Sequence, residues 1–419
     1  MDEKIDKLPD KKNVSIKEIN KKQILKIVIE KGPISRIEIS KYLNISRPTT
    51  TFYINELIET GLIEEIGKSK STPLGGKKAV IIKFNEKISY MLGVMIGVNN
   101  IRIALTDLNS NILKYIRIPT EQWKGAENVI RKILDSLVAL INSSKIPKEK
   151  FIGIGIGATG LVDSKNGKVI FSPNLEGWRN INLGEIIENK IKLPVFIENE
   201  CRVQAIAEKR FGLAKDINDF VCIETGAGIG TGIYVGGKLL TGIKGMAGEL
   251  GHLIVSLDNK KVCHCGNTGC LESLSSMRSL LDDIKESLKK ADKKYSKNSS
   301  NISVDDLFEL YQQGNEIVVE NVNKNAQYLG IGISNAIKVF SPERIIIHGE
   351  VIKFGDKYLN IVRESVDKNT FPMVQEKHDI RFSQLGEYVG LMGVTYIVFE
   401  SIFNLNNLDI PDHYILKRE

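Results

Sequence analysis

The sequence predicts an α/β body of two lobes that follows a small, mainly helical N-terminal domain. Residues 20–60 carry apolar side chains at helical spacing, interrupted at Gly32-Pro33 and stopped at Gly61. From Tyr90 onward, short apolar runs alternate with longer amphipathic segments, and this plan occurs twice, each time opening with paired runs. A chain of 419 residues has room for two or three domains. We expect these boundaries: N-terminal domain 18–87, first lobe 88–200, second lobe 201–403 and tail 404–419.

Basic residues are concentrated in the N-terminal domain. Residues 11–87 hold 16 Lys and Arg against 8 Asp and Glu, whereas residues 88–419 hold 40 against 39. This distribution is typical of a nucleic-acid-binding module on a near-neutral body, although a solvated lysine-rich face would give the same excess. No apolar run reaches the roughly 18–20 residues of a membrane helix, and the charged N-terminus lacks the apolar core of a secretory signal. We therefore expect a cytoplasmic protein that does not enter a membrane.

Three helices and two strands are predicted in the N-terminal domain. The first helix covers 20–31. Ser35 and Glu38 have the spacing of a capping box at the start of the second helix. A short turn leads to Ser46, which can cap a third helix at 47–60. Two strands, at 62–66 and 80–84, then flank a basic loop.

This order of elements predicts a winged helix-turn-helix that binds DNA. The start of the third helix carries short or polar side chains that can reach base edges and phosphates. A small helical dimerisation domain is the alternative, but the tight turn, the polar third helix and the basic wing occur together. The candidate DNA-contacting residues are Arg36, Arg47, Thr49, Thr50, Thr51, Tyr53, Lys77 and Lys78.

The body is predicted to hold two halves of related plan. The first half contains a hairpin (92–98 and 101–107), a helix (126–140), two strands (151–157 and 193–197) and a helix (202–211). The second contains strands at 220–224, 228–235 and 238–240, a helix at 321–340 and a strand at 344–348. The polar segment 289–301 is expected to be an exposed loop. Two such lobes leave a cleft between them, the usual place for a small ligand.

A cluster of cysteine and histidine residues predicts a structural zinc site. The segment GELGHLIVSLDNKKVCHCGNTGCLE (248–272) contains His252, Cys263, Cys265 and Cys270. One imidazole and three thiolates match the closed, tetrahedral sites that zinc prefers. In a cytosolic chain, such clustering favours a metal over disulfides, buried free thiols or a redox role. His264 is a weaker alternative to His252 as the fourth ligand.

These motifs resemble the ROK family, whose members include sugar kinases and transcriptional repressors. The metal segment, SPNLEGW (172–178), LPVFIENE (193–200) and GAGIGTGIYVGGKLLTGIKGMAGELGH (226–252) follow the family's order and spacing, and the resemblance runs from about residue 18 to 403. It implies an actin-like, ribonuclease-H-like body of sugar-kinase type. Repressors of the family carry an added winged helix, as this chain does, and xylose-responsive repressors are the subgroup it most resembles.

The resemblance also implies a sugar site. By residue-to-residue match, its members are Gly160, Asn174, Asn199, Glu200, Glu249, His252 and Glu272. Carboxylates and amides suit a sugar because together they accept from and donate to its hydroxyls. His252 would use one ring nitrogen for zinc and the other for a hydroxyl, so that the metal fixes the orientation of the ring. A lone acidic residue is usually a surface carboxylate with no role in a site. Glu249 and Glu272 are stronger candidates because they flank metal ligands, whereas the assignment of Glu200 rests on the resemblance to the family.

The phosphate-binding segments depart from the pattern of the family's kinases. Those kinases carry Asp-x-Gly-Gly-Thr in the first hairpin, where this chain has Met95-Ile96-Gly97-Val98-Asn99. Ala227 replaces a hydroxyl residue in the second loop, Glu200 replaces the usual Asp base, and His348-Gly349-Glu350 replaces paired glycines. Phosphoryl transfer depends on phosphate positioning and metal charge, so we expect no kinase activity. A further departure is Arg202, usually Asn, which either pairs with Glu200 or changes the pocket.

The resulting hypothesis is a sugar-responsive repressor of carbohydrate-utilisation genes, with xylose or a related pentose or hexose as its effector. A homodimer, or a dimer of dimers, would place two third helices in successive major grooves of a palindromic operator, with the wings on the flanking backbone. Sugar binding would close the cleft and weaken operator binding. The alternatives are an ATP-dependent sugar kinase with a DNA-binding module, a repressor controlled by a partner protein, and an activator.

Overall fold

The N-terminal domain is a three-helix unit with a small antiparallel sheet in the computed structural model, which describes residues 16–69, 78–291, 302–371 and 377–404. Its elements are α1 (Ile16–Lys31), β1 (Ile34–Ser35), α2 (Arg36–Leu43), α3 (Arg47–Glu59), β2 (Ile63–Lys68) and β3 (Val80–Phe84), and the strand order is β1-β3-β2. The sequence therefore predicted the winged helix-turn-helix correctly, apart from the extra strand β1 and an earlier start of α1.

Both predicted helix caps are confirmed. Ser35 accepts a hydrogen bond from the Glu38 amide, while the Glu38 carboxylate accepts from the Ser35 amide. Ser46 accepts from the Thr49 amide at the start of α3. Between these helices, Asn44 adopts a left-handed conformation with φ 52°, which a short polar side chain tolerates, so the turn can be tight.

The first lobe is built on a sheet in the order β11-β7-β4-β5-β6. Strands β4, β5 and β6 form antiparallel pairs, and β7 and β11 extend the sheet in parallel. Its elements are β4 (Tyr90–Ile96), β5 (Asn100–Asp107), β6 (Ile112–Pro119), α4 (Gly125–Ser144), β7 (Phe151–Ala158), α5 (Leu183–Ile191) and β11 (Val195–Asn199). A side sheet contains β8 (Leu161–Asp163), β9 (Lys168–Phe171) and β10 (Arg179–Ile181).

The second lobe repeats this plan with a sheet in the order β14-β13-β12-β15-β16. Its strands are β12 (Phe220–Thr225), β13 (Ile229–Val235), β14 (Lys238–Leu239), β15 (Arg344–Gly349) and β16 (Asp379–Phe382). Its helices are α7 (Leu271–Ser275), α8 (Met277–Ala291), α9 (Val304–Gln312), α10 (Glu316–Phe340) and α11 (Gly355–Asn369). The expected loop at 289–301 is wrong for its first residues, which extend α8, and the remainder lies outside the described residues.

Two helices connect the lobes: α6 (Glu200–Phe211) and α12 (Val389–Phe403). Helix α6 packs on β12 and β13 of the second lobe, α12 packs on β4 and β7 of the first, and the two helices pack on each other. Helix α12, which the expected range 201–403 assigns to the second lobe, therefore packs on the first sheet. The reason is that its apolar side chains, among them Val394 and Val398, are buried against the first sheet.

The N-terminal domain shares its core with the body. Apolar residues of α1, α3 and β3 form one buried cluster with Val398, Phe399 and Phe403 of α12. The Phe84 ring of β3 lies 6.1 Å from that of Phe399 and 6.3 Å from that of Phe403. The winged helix is thus packed directly on the body. Within the described ranges, no helix has both the length and the apolarity to cross a membrane.

Candidate functional site

The predicted metal ligands lie together. The ligand atoms of His252, Cys263, Cys265 and Cys270 are all within 4.8 Å of one another. Cys263 Sγ is 3.5 Å from His252 Nδ1, and Cys265 Sγ is 3.7 Å from Cys270 Sγ. A tetrahedral ion with bonds of about 2.3 Å to sulfur and about 2.0 Å to nitrogen has S···N edges of about 3.5 Å and S···S edges of about 3.8 Å. The cluster therefore fits a tetrahedral metal ion.

The loop around this cluster is held by backbone hydrogen bonds. The Cys263 amide donates to the Asn267 carbonyl at 2.7 Å, and the Val255 amide donates to the Gly269 carbonyl at 2.9 Å. Gly269 has φ 71°, and a Cβ at this position would overlap the Ser256 carbonyl. Glycine is therefore required where the chain turns back towards Cys270.

His252 faces the metal cluster with one ring nitrogen and an acid with the other. Its Nδ1 is the atom near Cys263, while its Nε2 lies 3.8 Å from Glu249 Oε2. Glu272 Oε1 lies 3.7 Å from Cys263 Sγ, and its Oε2 accepts a hydrogen bond from the Ile229 amide at 3.1 Å. The structure thus brings Glu249, His252 and Glu272 together beside the cluster.

The Asn199 carboxamide joins two segments of the cleft. Its Oδ1 accepts from the amides of Cys201 and Arg202, so Asn199 is the N-cap of α6. Its Nδ2 donates to the Gly160 carbonyl at 2.9 Å. One Nδ2 hydrogen therefore remains for a ligand. Glu200, the first residue of α6, is partly buried next to it.

Asn174 has a partner that sequence analysis did not identify. Its Oδ1 accepts a hydrogen bond from Arg278 Nη1 at 3.2 Å, which connects the first lobe to the start of α8 in the second. The same Nη1 lies 3.1 Å from His264 Nε2. Among the described residues, the group with metal-binding geometry does not include His264. Nothing in the local sequence around Arg278 indicates this bridge, because its partners lie far away along the chain.

Arg202 pairs with Glu198 and not with Glu200. Its Nε donates to Glu198 Oε1 at 2.6 Å, and the two side chains are 3% and 9% exposed. Its Nη1 donates to the Gly245 carbonyl at 2.8 Å and its Nη2 to the Val162 carbonyl at 3.3 Å. The guanidinium therefore ties the loop that precedes Glu249 to α6 and β8. Opposite charges four residues apart could have indicated this ion pair, as they do within a helix. Here, however, Glu198 lies on β11 and Arg202 on α6.

Three carboxyl groups lie near one another: Glu200 at the start of α6, Glu224 on β12 and Glu350 after β15. Burial raises the pKa of Glu200 to about 8; the Glu224 carboxylate adds to this effect and Arg102 opposes it. Burial also raises the pKa of Glu224, an effect that Gln204 and Arg102 counter and Glu350 strengthens. Glu200 and Glu224 therefore hold their protons to a higher pH than free carboxylic acids do.

Met95, the residue expected to replace an acid of the family's kinases, lies near the end of β4. Its side chain is 1% exposed. Its sulfur lies against Gly157 of β7 and Gly390 of α12, where an added Cβ would collide with it. The position is therefore part of the apolar core, and it offers no ligand for magnesium.

The predicted DNA-contacting residues of α3 differ in exposure. Arg47 is exposed, whereas Thr49, Thr51 and Tyr53 are partly buried. The expectation that Thr50 lies on the outer face is wrong: Thr50 is fully buried, and its hydroxyl donates to the Ser46 carbonyl at 3.0 Å. Helical rotation turns this position towards the core.

The remaining DNA-binding candidates lie around α3. Arg36 donates to Asn55 Oδ1 at 2.8 Å and to Glu65 Oε1 at 2.5 Å, so it joins α2 to α3 and to the wing. Lys78 is exposed, and Lys77 lies outside the described residues. Phe52, which is not among the predicted residues, has a ring that is 53% exposed and whose centre lies 5.3 Å from Lys17 Nζ. The apolar periodicity of α3 alone does not show whether the Phe52 ring is buried or exposed.

Comparison with known sequences extends over nearly the whole chain. Residues 91–401 match the ROK family, and residues 17–64 match a winged helix-turn-helix DNA-binding family. The xylose repressor of Bacillus spizizenii is 33% identical over 396 residues, covering 93% of this chain and 97% of the relative. The DNA-binding transcriptional dual regulator NagC of Escherichia coli is 27% identical over 385 residues, covering 89% and 92%.

Solved structures with the same fold include both regulators and kinases. A ROK family transcriptional regulator, a homologue of the E. coli MLC protein, superposes with a TM-score of 0.79 and 27% identity, covering 96% of this chain and 99% of that one. A ROK family glucokinase from Streptomyces griseus, in complex with glucose and AMPPNP, superposes with a TM-score of 0.66 and 29% identity, covering 74% and 99%. The kinase therefore matches the body, and the regulator matches the body and the N-terminal domain together.

Proposed function

The chain belongs to the ROK family, and we propose that it is a DNA-binding transcriptional repressor that a sugar releases from its operator. The observation that carries this proposal is the direct packing of the winged helix on the body, through Phe84, Phe399 and Phe403. A DNA-binding domain that shares a buried core with a ligand-binding body senses the conformation of that body. The relatives named xylose repressor and NagC support the same assignment.

The sugar would bind between Asn199 and Glu200 on one side and Glu249, His252 and Glu272 on the other. Gly160 and Asn174 would complete the site. This set offers carboxylate acceptors, a free amide hydrogen and an imidazole nitrogen, which together suit alternating hydroxyls. Xylose, or another pentose or hexose, is the class of effector that this chemistry fits.

Zinc is the metal that best suits the His252, Cys263, Cys265 and Cys270 cluster, because three thiolates and one imidazole form a closed structural site. Bound there, the ion supplies a fixed support and no chemical step. Its binding to Nδ1 leaves His252 Nε2 as the nitrogen that carries the proton and can donate to a sugar hydroxyl.

We infer that the protein does not phosphorylate the sugar. Met95 is buried in apolar contacts where an acid would position magnesium. The Glu350 carboxylate helps to raise the pKa of Glu224, and a bound polyphosphate would place further negative charge beside two carboxyl groups whose ionised forms are already disfavoured.

On DNA, a homodimer would place Arg47 and the exposed face of α3 in the major groove, with Lys78 and the wing near the flanking backbone. Two copies related by a two-fold axis require a palindromic operator. Phe52 is an additional candidate on this face because its ring is exposed.

Operator release by a sugar tests the proposal. A duplex selected by this protein from a random pool is labelled, and its affinity is measured by fluorescence anisotropy with D-xylose, D-glucose and N-acetyl-D-glucosamine. At least one sugar is expected to raise the operator Kd about fivefold or more. Glu249→Gln, which keeps the shape of a half-exposed side chain, should keep operator affinity and lose the response. If none of the sugars changes operator affinity, the proposal is wrong.

A coupled ADP-release assay with the same sugars tests the absence of kinase activity. No turnover above a sugar-free control is expected. ATP-dependent turnover that disappears in Glu200→Gln would show instead that the protein is a kinase with an added DNA-binding domain.

A further inference from the structure

Helix α6 extends from the candidate sugar site to the winged helix. Its first residue is Glu200, and its N-cap is Asn199. Its last two residues are Arg210 and Phe211. At about 1.5 Å per residue, this helix spans about 18 Å. One rigid element therefore has the site residues at one end and the DNA-binding domain at the other.

At its C-terminal end, α6 contacts α1 of the winged helix. Arg210 Nη2 lies within hydrogen-bonding reach of the Ile29 carbonyl at 3.5 Å. The same guanidinium lies 5.4 Å from the ring centre of Tyr396 on α12, a distance suited to a cation–π interaction. Arg210 thus makes a polar contact between α6 and the DNA-binding domain. Its guanidinium also packs against the Tyr396 ring of α12.

A chain of ring contacts continues from this point to the wing. The Phe211 ring is 5.7 Å from that of Tyr396, in an edge-to-face arrangement. The Tyr396 ring is 6.0 Å from that of Phe399, and Phe399 is 6.1 Å from Phe84 of β3. These spacings fall in the range of favourable aromatic pairs. A displacement of Phe211 therefore changes the packing of the strand that carries one side of the wing.

Helices α6 and α12 are also in backbone contact between their ends. A Cβ at Gly393 of α12 would overlap the Val203 carbonyl of α6. Because the two backbones touch there, α6 cannot slide towards α12 without displacing it. A shift that begins at Glu200 is thus passed to α12 as well as along α6.

We propose that Arg210 is the coupling residue through which sugar occupancy alters the winged helix, with Tyr396 as its partner on α12. This inference rests on the proposed function. Arg210 touches neither the sugar site nor the outer face of α3, so it acts by positioning α1 relative to the body. Its contact with Ile29 differs between the sugar-bound and the operator-bound arrangements, and that difference supplies the coupling free energy.

The test separates coupling from either binding event. Three quantities are measured for the full-length protein: operator Kd alone, operator Kd with saturating sugar from the panel above, and sugar Kd without DNA. In the wild type, sugar raises the operator Kd by a factor of about 5–150, the usual range for coupled sites. In Arg210→Ala, we expect that factor to fall below about twofold, while operator Kd without sugar and sugar Kd each stay within about threefold of wild type.

Lys209→Ala is the matched control. Lys209 is the neighbouring cation on α6, and its Nζ donates to the Ile217 carbonyl at 2.6 Å within the body. This variant is expected to keep the wild-type factor. If Arg210→Ala loses its folding transition, Arg210→Gln, which keeps most of the side-chain stem, replaces it and the same result is expected.

Two outcomes overturn the inference. If the Arg210 variant keeps the full wild-type factor, coupling does not pass through Arg210, although the proposed function stands. If the wild type itself shows no effect of sugar on operator affinity, both fail. Hydrogen exchange in Ile16–Lys31 gives a second readout: sugar should change it in the wild type and not in the Arg210 variant.

Discussion

The Arg202 guanidinium donates through Nε to Glu198 Oε1 at 2.6 Å, and both side chains are buried. This pair lies next to Asn199, the N-cap of α6. Arg202 Nη1 also donates a hydrogen bond to the Gly245 carbonyl at 2.8 Å. Arg202 therefore ties the loop that leads to Glu249 to the start of α6, and it bonds Glu198 rather than Glu200.

Replacing Arg202 by Asn should destabilise the fold. The substitution leaves the Glu198 carboxylate buried without its cation, and breaking a buried pair costs about 3–5 kcal/mol. Urea unfolding followed by circular dichroism measures the loss. The double variant Glu198→Gln, Arg202→Asn removes both charges and is expected to recover most of it. Equal midpoints for the single and double variants would show that the ion pair is not the cause.

The same double variant should loosen the loop in front of Glu249. Without the bond to the Gly245 carbonyl, the exposed Lys244 becomes a better trypsin site. We expect faster cleavage after Lys244, detected by mass spectrometry, with sugar restoring protection. An unchanged cleavage rate would mean that the loop is held by other contacts.

Removal of the metal should lower thermal stability and sugar affinity together. Chelation frees the loop that carries His252 and Cys270, so Tm is expected to fall by more than about 2–4 °C, the shift for about 1 kcal/mol in a domain of this size. Cys270→Ser should reduce the bound zinc measured by mass spectrometry of metals. Cys222→Ser, a buried thiol on β12, is the control and should keep it. A wild type that purifies without metal and binds sugar normally would contradict this account.

The exposed and buried positions of α3 should respond differently to mutation. Arg47→Ala is expected to weaken operator binding and to reduce the slope of log K against log salt by about 0.9 if Arg47 neutralises one phosphate. Thr50→Val keeps the shape of a fully buried side chain and should leave operator affinity unchanged. A Thr50→Val variant that folds normally but loses operator binding would show that this face of α3 is oriented differently.

Glu200 should make stability depend on pH. Burial raises the pKa of its carboxyl to about 8 in the fold, compared with about 4.5 for a glutamate side chain in water. The folded state therefore holds this proton over that interval and the unfolded state does not. Stability is lost as pH rises from about 4.5 to about 8, at no more than about 1.4 kcal/mol per pH unit from this group. Glu200→Gln should flatten that part of the profile in urea unfolding; identical profiles would contradict it.

Local patterns in the sequence were enough to predict the helix caps, the hairpins and the clustering of His252 with three cysteines. Ser35 and Glu38 form hydrogen bonds with each other within one helical turn, and Cys263, Cys265 and Cys270 lie in one loop. Because these residues are close in sequence, their spacing is enough to predict that they are close in space. The position of α12 could not be predicted in this way. Its partners on β4 and β7 lie more than two hundred residues earlier in the chain.

The sequence also did not predict the direction and the partners of some side chains. Thr50 stands among polar residues of α3, yet the rotation of the helix buries it. Arg36 is a residue type that often contacts DNA, but its guanidinium donates hydrogen bonds to Asn55 and Glu65. Arg278 bridges to Asn174 across the lobes. The partners of Arg36 and Arg278 come from other elements, and only tertiary packing brings them within reach.

Sugar and operator are expected to compete through one conformational equilibrium. Isothermal titration of the full-length protein with the active sugar, with and without saturating operator duplex, tests it most directly. Linkage requires that operator raise the sugar Kd by the same factor by which sugar raises the operator Kd. We predict equal factors of about fivefold or more. A sugar Kd that is the same with and without operator would contradict the account.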